Sequence, residues 1–174
     1  VGGILDYSFG GFASRGGTSA HLKEIYDALK AENPAMELHW MNYTTDIDEK
    51  WSDYLPFVDV ISLWEPKLEN LGNIDESIER CTQVFPHKPI VLGLYLVNYW
   101  ARSMKLGETD EWQHHSEWAL RPLSQDMLHL QFESAMRLLR EGKISGISIL
   151  AESLVDKFPE TAEWVRDFLE RNCA

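Results

Sequence analysis

Carboxylates, amides and aromatic rings recur at one kind of place in this chain, the carboxyl-terminal end of a short apolar run. The first run delivers Asp6 and Tyr7, the second Trp40, Asn42 and Tyr43, and the third Trp64 and Glu65. The fourth delivers Tyr95, Asn98 and Tyr99, and the last is followed by Glu152. Aromatic faces stack on the apolar faces of sugar rings, while amides and carboxylates take the hydroxyls. Two carboxylates across a glycosidic bond work as acid and base, or as acid and nucleophile.

Glu65 leads the catalytic candidates. It directly follows the run Val58–Trp64, precedes Pro66, and stands beside an indole that would shield it from water. Its alternative role is to cap the next turn. Glu152 is the candidate partner, or else a solvated loop acid. Asp6 ends an apolar run, and a charge there needs a partner, either a ligand or a structural ion pair. Trp40 and Trp64 either meet a ligand or fill the core. Strand alternation sends Trp40 and Asn42 to the same face, and a buried Asn must find hydrogen bonds from ligand or backbone.

Other patterns carry less. The segment from Ser8 to Thr18 is glycine-rich and joins the first run to the first helical pattern, with Arg15, Thr18 and Ser19 as possible phosphate donors. Its spacing imitates a phosphate-binding loop, but Gly17 stands where that motif requires lysine, so a turn is the default. His114 and His115 are adjacent, and with Glu117 they lack standard zinc spacing. No Gly-x-Ser-x-Gly elbow occurs, and neither Cys81 nor Cys173 has a nearby base. The sequence therefore calls for no metal and no cofactor.

The elements that must position these residues alternate along the chain. Strands are predicted at Gly3–Phe9, Glu37–Tyr43, Val58–Trp64, Pro89–Leu96 and Gly146–Leu150. Several are nearly continuous apolar runs, as in parallel sheets covered on both faces. Between them lie helical stripes: Leu22, Ile25, Tyr26 and Leu29 behind a cap at Thr18 or Ser19, and Ile47, Trp51, Tyr54 and Leu55 opened by Asp46. Further stripes are Ile74, Ile78, Cys81 and Phe85 behind Asn73, then Leu128, Phe132, Ala135 and Leu139 ahead of Gly142. The last helix opens at Pro159 and buries Val165, Phe168 and Leu169. The stretch 97–121 holds Trp100, Trp112 and Trp118 with little periodicity, the length of a functional loop.

Composition narrows the partners. The net charge of -12, from 16 basic and 28 acidic residues, disfavours nucleic acid and anionic membranes. Two distant cysteines exclude a disulfide framework and leave the compartment open, with secretion or a periplasmic address conceivable under an upstream signal.

The strings Leu38-His-Trp-Met-Asn-Tyr-Thr44, Tyr54-Leu-Pro-Phe-Val-Asp-Val-Ile-Ser-Leu-Trp64 and Lys88-Pro-Ile-Val-Leu-Gly-Leu-Tyr95 resemble a poorly characterised bacterial group of glycoside-hydrolase-like (βα)8-barrel proteins. The stretches Gly142–Leu150 and Thr161–Phe168 are similar to that group too, so the resemblance spans almost the whole chain. It implies a fold more firmly than a reaction.

The expectation is an α/β chain forming part of a TIM (βα)8-barrel, with five βα units in one domain over 1–174 and the remaining units upstream of Val1. An open flavodoxin-like parallel sheet is the alternative. The expected function is carbohydrate-active, a glycoside hydrolase acting on an oligo- or polysaccharide. The alternatives are a non-catalytic carbohydrate-binding protein, or a flavin- or phosphate-binding module at Gly10–Thr18. An incomplete barrel exposes two strand edges, which the rest of the barrel or a second chain would cover.

Overall fold

The computed structural model describes residues 2–97, 122–150 and 158–172. Five strands form one sheet: β1 (Gly2–Leu5), β2 (Glu37–Tyr43), β3 (Val60–Trp64), β4 (Ile90–Tyr95) and β5 (Gly146–Leu150). All five run parallel, and their spatial order is their chain order, β1-β2-β3-β4-β5. The sheet curls into a half-barrel, a shape shared by a partial barrel and an open parallel sheet. A flavodoxin-like sheet reverses its strand order at a switch point; this sheet has no such reversal.

Every residue of β3 is buried, as its unbroken apolar run requires of a central strand. Leu38 and Trp40 of β2, Ile61 and Leu63 of β3, and Leu92 and Leu94 of β4 join one core with helical residues. Those helical residues come from α2 (Ser19–Glu32), α3 (Ile74–Val84), α4 (Gln125–Arg140) and α5 (Pro159–Asn172), and include Leu22, Ile78, Phe132 and Phe168. A separate small cluster, Met41, Trp64 and Tyr95 with Tyr43 and Leu150, covers the opposite, concave face. Strand alternation thus sorts the residues into a helix-side core and an aromatic patch.

Most helices start and stop as their sequences dictate. Thr18 caps α2 by accepting the His21 N–H, and Ser124 caps α4 by accepting that of Met127. Helix α4 ends ahead of Gly142, whose φ of +69° is the left-handed geometry that favours glycine. Asn73 precedes α3 without a side-chain cap bond; Asp75 and Glu76 supply negative charge in the first turn instead. Asp75 also takes two bonds from Arg137 of α4, at 2.9 and 2.6 Å.

Three sequence expectations are corrected. The first strand stops at Leu5, because Ser8 caps a short helix, α1 (Phe9–Ser14), by accepting the Gly11 N–H. Phe9 then turns into the core, fully buried and stacked on Trp40 with ring centroids 4.8 Å apart. The amphipathic segment after β2 is a 3₁₀ stretch, Glu49–Phe57, capped by Asp48 rather than Asp46. Ile25, on the predicted apolar stripe of α2, is an exposed side chain.

At the amino ends of the strands, Asp59 acts as a knot. It accepts the Leu38 N–H at 2.8 Å and the Tyr26 hydroxyl at 3.1 Å, and pairs with Lys30 at 2.9 Å. Burial alone would raise its carboxyl pKa; the Leu38 amide, Lys30 and Tyr26 outweigh that and hold it below the usual value.

Candidate functional site

The chemistry-bearing residues gather at the carboxyl ends of the strands, where parallel α/β folds place their sites. The curl divides them between two faces. On the concave face, Trp64 lies across β4 at Gly93, where a glycine is needed: a Cβ there would fall 2.0 Å from the indole. The indole Nε1–H donates to Ser62 Oγ at 3.0 Å, fixing the ring's orientation. Tyr95 packs beside it, ring centroids 5.0 Å apart and planes tilted by 52°. Tyr43 is half-buried in the same cluster and shares a side-chain hydrogen bond with Tyr95.

Asp6 stands just past β1, on the same side by alternation. Its charge reaches Tyr43: burial chiefly, and Asp6 next, raise the Tyr43 phenol above its ordinary pKa, against the opposing Tyr95 bond. The face therefore joins a tilted Trp–Tyr pair, a second phenol and an exposed carboxylate. Trp64 and Tyr95 are buried, so the groups that reach solvent are the Tyr43 phenol and the Asp6 carboxylate, which can exchange hydrogen bonds with a hydroxyl.

The other sequence candidates lie elsewhere. Trp40 is fully buried on the helix side between Phe9 and Phe12. Asn42 is buried on that side too and donates to the Asp46 carbonyl at 3.1 Å. Trp40 Nε1 and Asn42 Oδ1 have no hydrogen-bond partner among the described residues. Alternation does put both on one face, but that face is the helix-side core. Tyr7 is exposed, with the Arg15 guanidinium 4.5 Å over its ring. Glu152, Asn98 and Tyr99, like His114, His115 and Glu117, lie outside the described residues.

Glu65 is only 3% exposed, directly behind Trp64 on the helix side. Its Oε2 accepts the Thr44 hydroxyl at 2.6 Å, and its Oε1 accepts the Lys67 N–H at 2.8 Å and the Asn70 amide at 3.5 Å. It borders a small cavity with Leu71, Ile74, Leu92 and Gln131. Both carboxylate oxygens are thus engaged within the protein, the pattern of a group that holds other parts in place.

The glycine-rich segment is helix over Phe9–Ser14 and turn at Arg15 and Gly16, and the amides of Gly10 and Gly11 are committed. Gly10 N–H donates to Asp46 Oδ2 at 2.7 Å and Gly11 N–H to Ser8 Oγ at 3.1 Å. A carboxylate occupies the place where a phosphate would need donors. Among the described residues no group of three or more His, Cys, Asp or Glu is arranged to hold a metal ion.

Sequence reading missed Ser62, Gly93, Thr44 and Gln131. Two signals were available: a glycine inside an apolar strand marks a close approach, and Gln131 falls at i+3 in the stripe Leu128, Phe132, Ala135. Comparison of the chain with protein-family models, with curated proteins and with solved structures finds no match in any of the three.

Proposed function

We propose that this protein binds carbohydrate on the concave face of a (βα)-barrel wall, at the carboxyl ends of β1 to β4. The aromatic cluster carries the reading: the half-buried Tyr43 phenol and the exposed Asp6 carboxylate adjoin a tilted, buried pair, Trp64 and Tyr95, which are 5% and 8% exposed. Sequential strand order and helices packed on one face support the barrel wall. An acidic chain with no metal cluster among its described residues fits a neutral, hydroxyl-rich ligand better than a phosphorylated one.

Asp6 also favours a second reading, glycoside hydrolysis, since an exposed carboxylate beside a phenol can act as acid or nucleophile. Glu65, with both oxygens bonded internally, contributes support to the surface rather than attack.

Tryptophan fluorescence titrated with cellohexaose, xylohexaose and chitohexaose tests the binding. A saturable change that disappears in Trp64→Ala is expected, and no response to any of the three overturns the proposal. Release of reducing ends that is lost in Asp6→Asn would establish the hydrolase; binding without release establishes a non-catalytic protein.

A further inference from the structure

The buried polar side chains among the described residues are Asn42, Thr44, Ser62, Glu65 and Gln131. Burying such groups is costly unless each is satisfied, and either face of a sheet is more cheaply filled with Leu and Ile. Here four of the five fasten the strand segments that carry the concave rings.

Ser62 holds the Trp64 indole directly. Thr44 follows Tyr43, and Glu65 follows Trp64; their 2.6 Å bond ties the end of β2 to the end of β3 just where the ladder between them stops, at the pair Tyr43 and Trp64. Through Lys67 N–H and Asn70 the same carboxylate anchors the chain leaving β3. Gln131 of α4 clasps Tyr95, its Oε1 accepting the backbone N–H at 3.2 Å and its Nε2 donating to the carbonyl at 3.1 Å. The β3–β4 ladder ends at Trp64 and Gly93, and the Gln131 amide bonds the Tyr95 backbone, while β4 stays paired with β5 through Tyr95 and Leu150.

We infer that Glu65, with Thr44, is a positioning residue for the aromatic cluster, setting Tyr43 and Trp64 relative to each other from the opposite side of the sheet. What the rings bind rests on the carbohydrate reading; the positioning itself does not. A carboxylate at this point takes two or more donors from different segments at once, which no aliphatic side chain can do. Removing one partner tilts a strand end, and the ring on its other face moves with it.

The test is fluorine NMR of protein labelled with fluorotryptophan, in which Trp64→Phe identifies the Trp64 resonance. Thr44→Val keeps the side-chain shape, removes the donor to Glu65, and should shift or broaden that resonance; Thr44→Ser should restore it. Glu65→Gln, which keeps an acceptor for Lys67 N–H, gives a second reading of the same contact. Asp59→Asn, at the amino end of β3, is the control for general loss of stability and should leave the resonance in place. Cellohexaose affinity should fall roughly fivefold to tenfold in Thr44→Val, the size of one misplaced hydrogen bond at Tyr43. An unmoved Trp64 resonance in both Thr44→Val and Glu65→Gln, or an equal shift in Asp59→Asn, overturns the inference. A shifted resonance in a protein that binds none of the oligosaccharides supports the positioning role and removes the carbohydrate reading alone.

Discussion

Gly93→Ala probes the seat of Trp64 from its far side. The new Cβ would lie 2.0, 2.2 and 2.3 Å from three indole carbons. Carbon atoms in contact prefer about 3.5–4.0 Å, so the ring must lift by roughly 1.5 Å. Trp64 is 5% exposed, and the lift pulls Nε1 away from Ser62 Oγ. Overpacking costs about 1–3 kcal/mol and the lost hydrogen bond about 1 kcal/mol. Replacing glycine returns about 0.4–1 kcal/mol through the unfolded chain. The net loss is about 2 kcal/mol, or a melting temperature lower by roughly 4–8 °C for a chain of this size. Urea unfolding of Gly93→Ala, Trp64→Ala and the double variant measures it. Because Trp64→Ala vacates the space, the double variant should be less destabilised than the sum of the singles by about 1–3 kcal/mol. Wild-type stability in Gly93→Ala, or additivity within about 0.5 kcal/mol, would refute the packing of indole on glycine.

Three further outcomes follow from the charged and buried groups. Asp59 has a depressed carboxyl pKa, so its stabilising contribution is present above the ordinary carboxylate value and lost as pH falls through the folded one. Asp59→Asn should cost about 1–3 kcal/mol near neutrality and flatten the acid limb of a stability-versus-pH curve. Tyr43 is shifted the other way: the fold favours its neutral phenol, so stability declines as pH rises past the ordinary tyrosine value of about 10. Asp6→Asn removes the second cause and should lower the Tyr43 titration midpoint in ultraviolet difference spectra, leaving the larger part due to burial. Burial pushes the Cys81 thiol up to about 12, so mass spectrometry after treatment with a thiol reagent at pH 8 should find Cys81 unmodified in the folded protein and labelled in urea.

The central strands β3 and β4 were readable because they are buried on both faces and their apolar runs are nearly unbroken; all five predicted strands appear, and β2 and β5 keep the predicted bounds. What alternation could not say is which face is concave. Trp40 and Trp64 look equivalent in the sequence, yet one packs under α1 and the other lies over Gly93, because curl depends on the whole sheet. The end of β1 was misjudged for a local reason: Ser8 offers a capping oxygen to Gly11 that competes with strand extension. Glu65 stood out by position, but its partners Thr44 and Asn70 come together only when two strand ends meet.

The uninterrupted strand order also bears on how the molecule assembles itself. Each strand finds its partner in the unit made just before it, so pairing can proceed from β1 onward as the chain emerges, with no earlier strand waiting for a later one to be inserted beside it. Among the described strands the exception in scale is the pairing of β4 with β5, since Val91 meets Gly146 across the widest sequence separation in the sheet. Loop closure makes that step the slowest to pay off. A nascent chain should therefore protect the amides of β2 and β3 before those of β5, leaving the gap between β4 and β5 as the point where synthesis, folding and capture by chaperones compete.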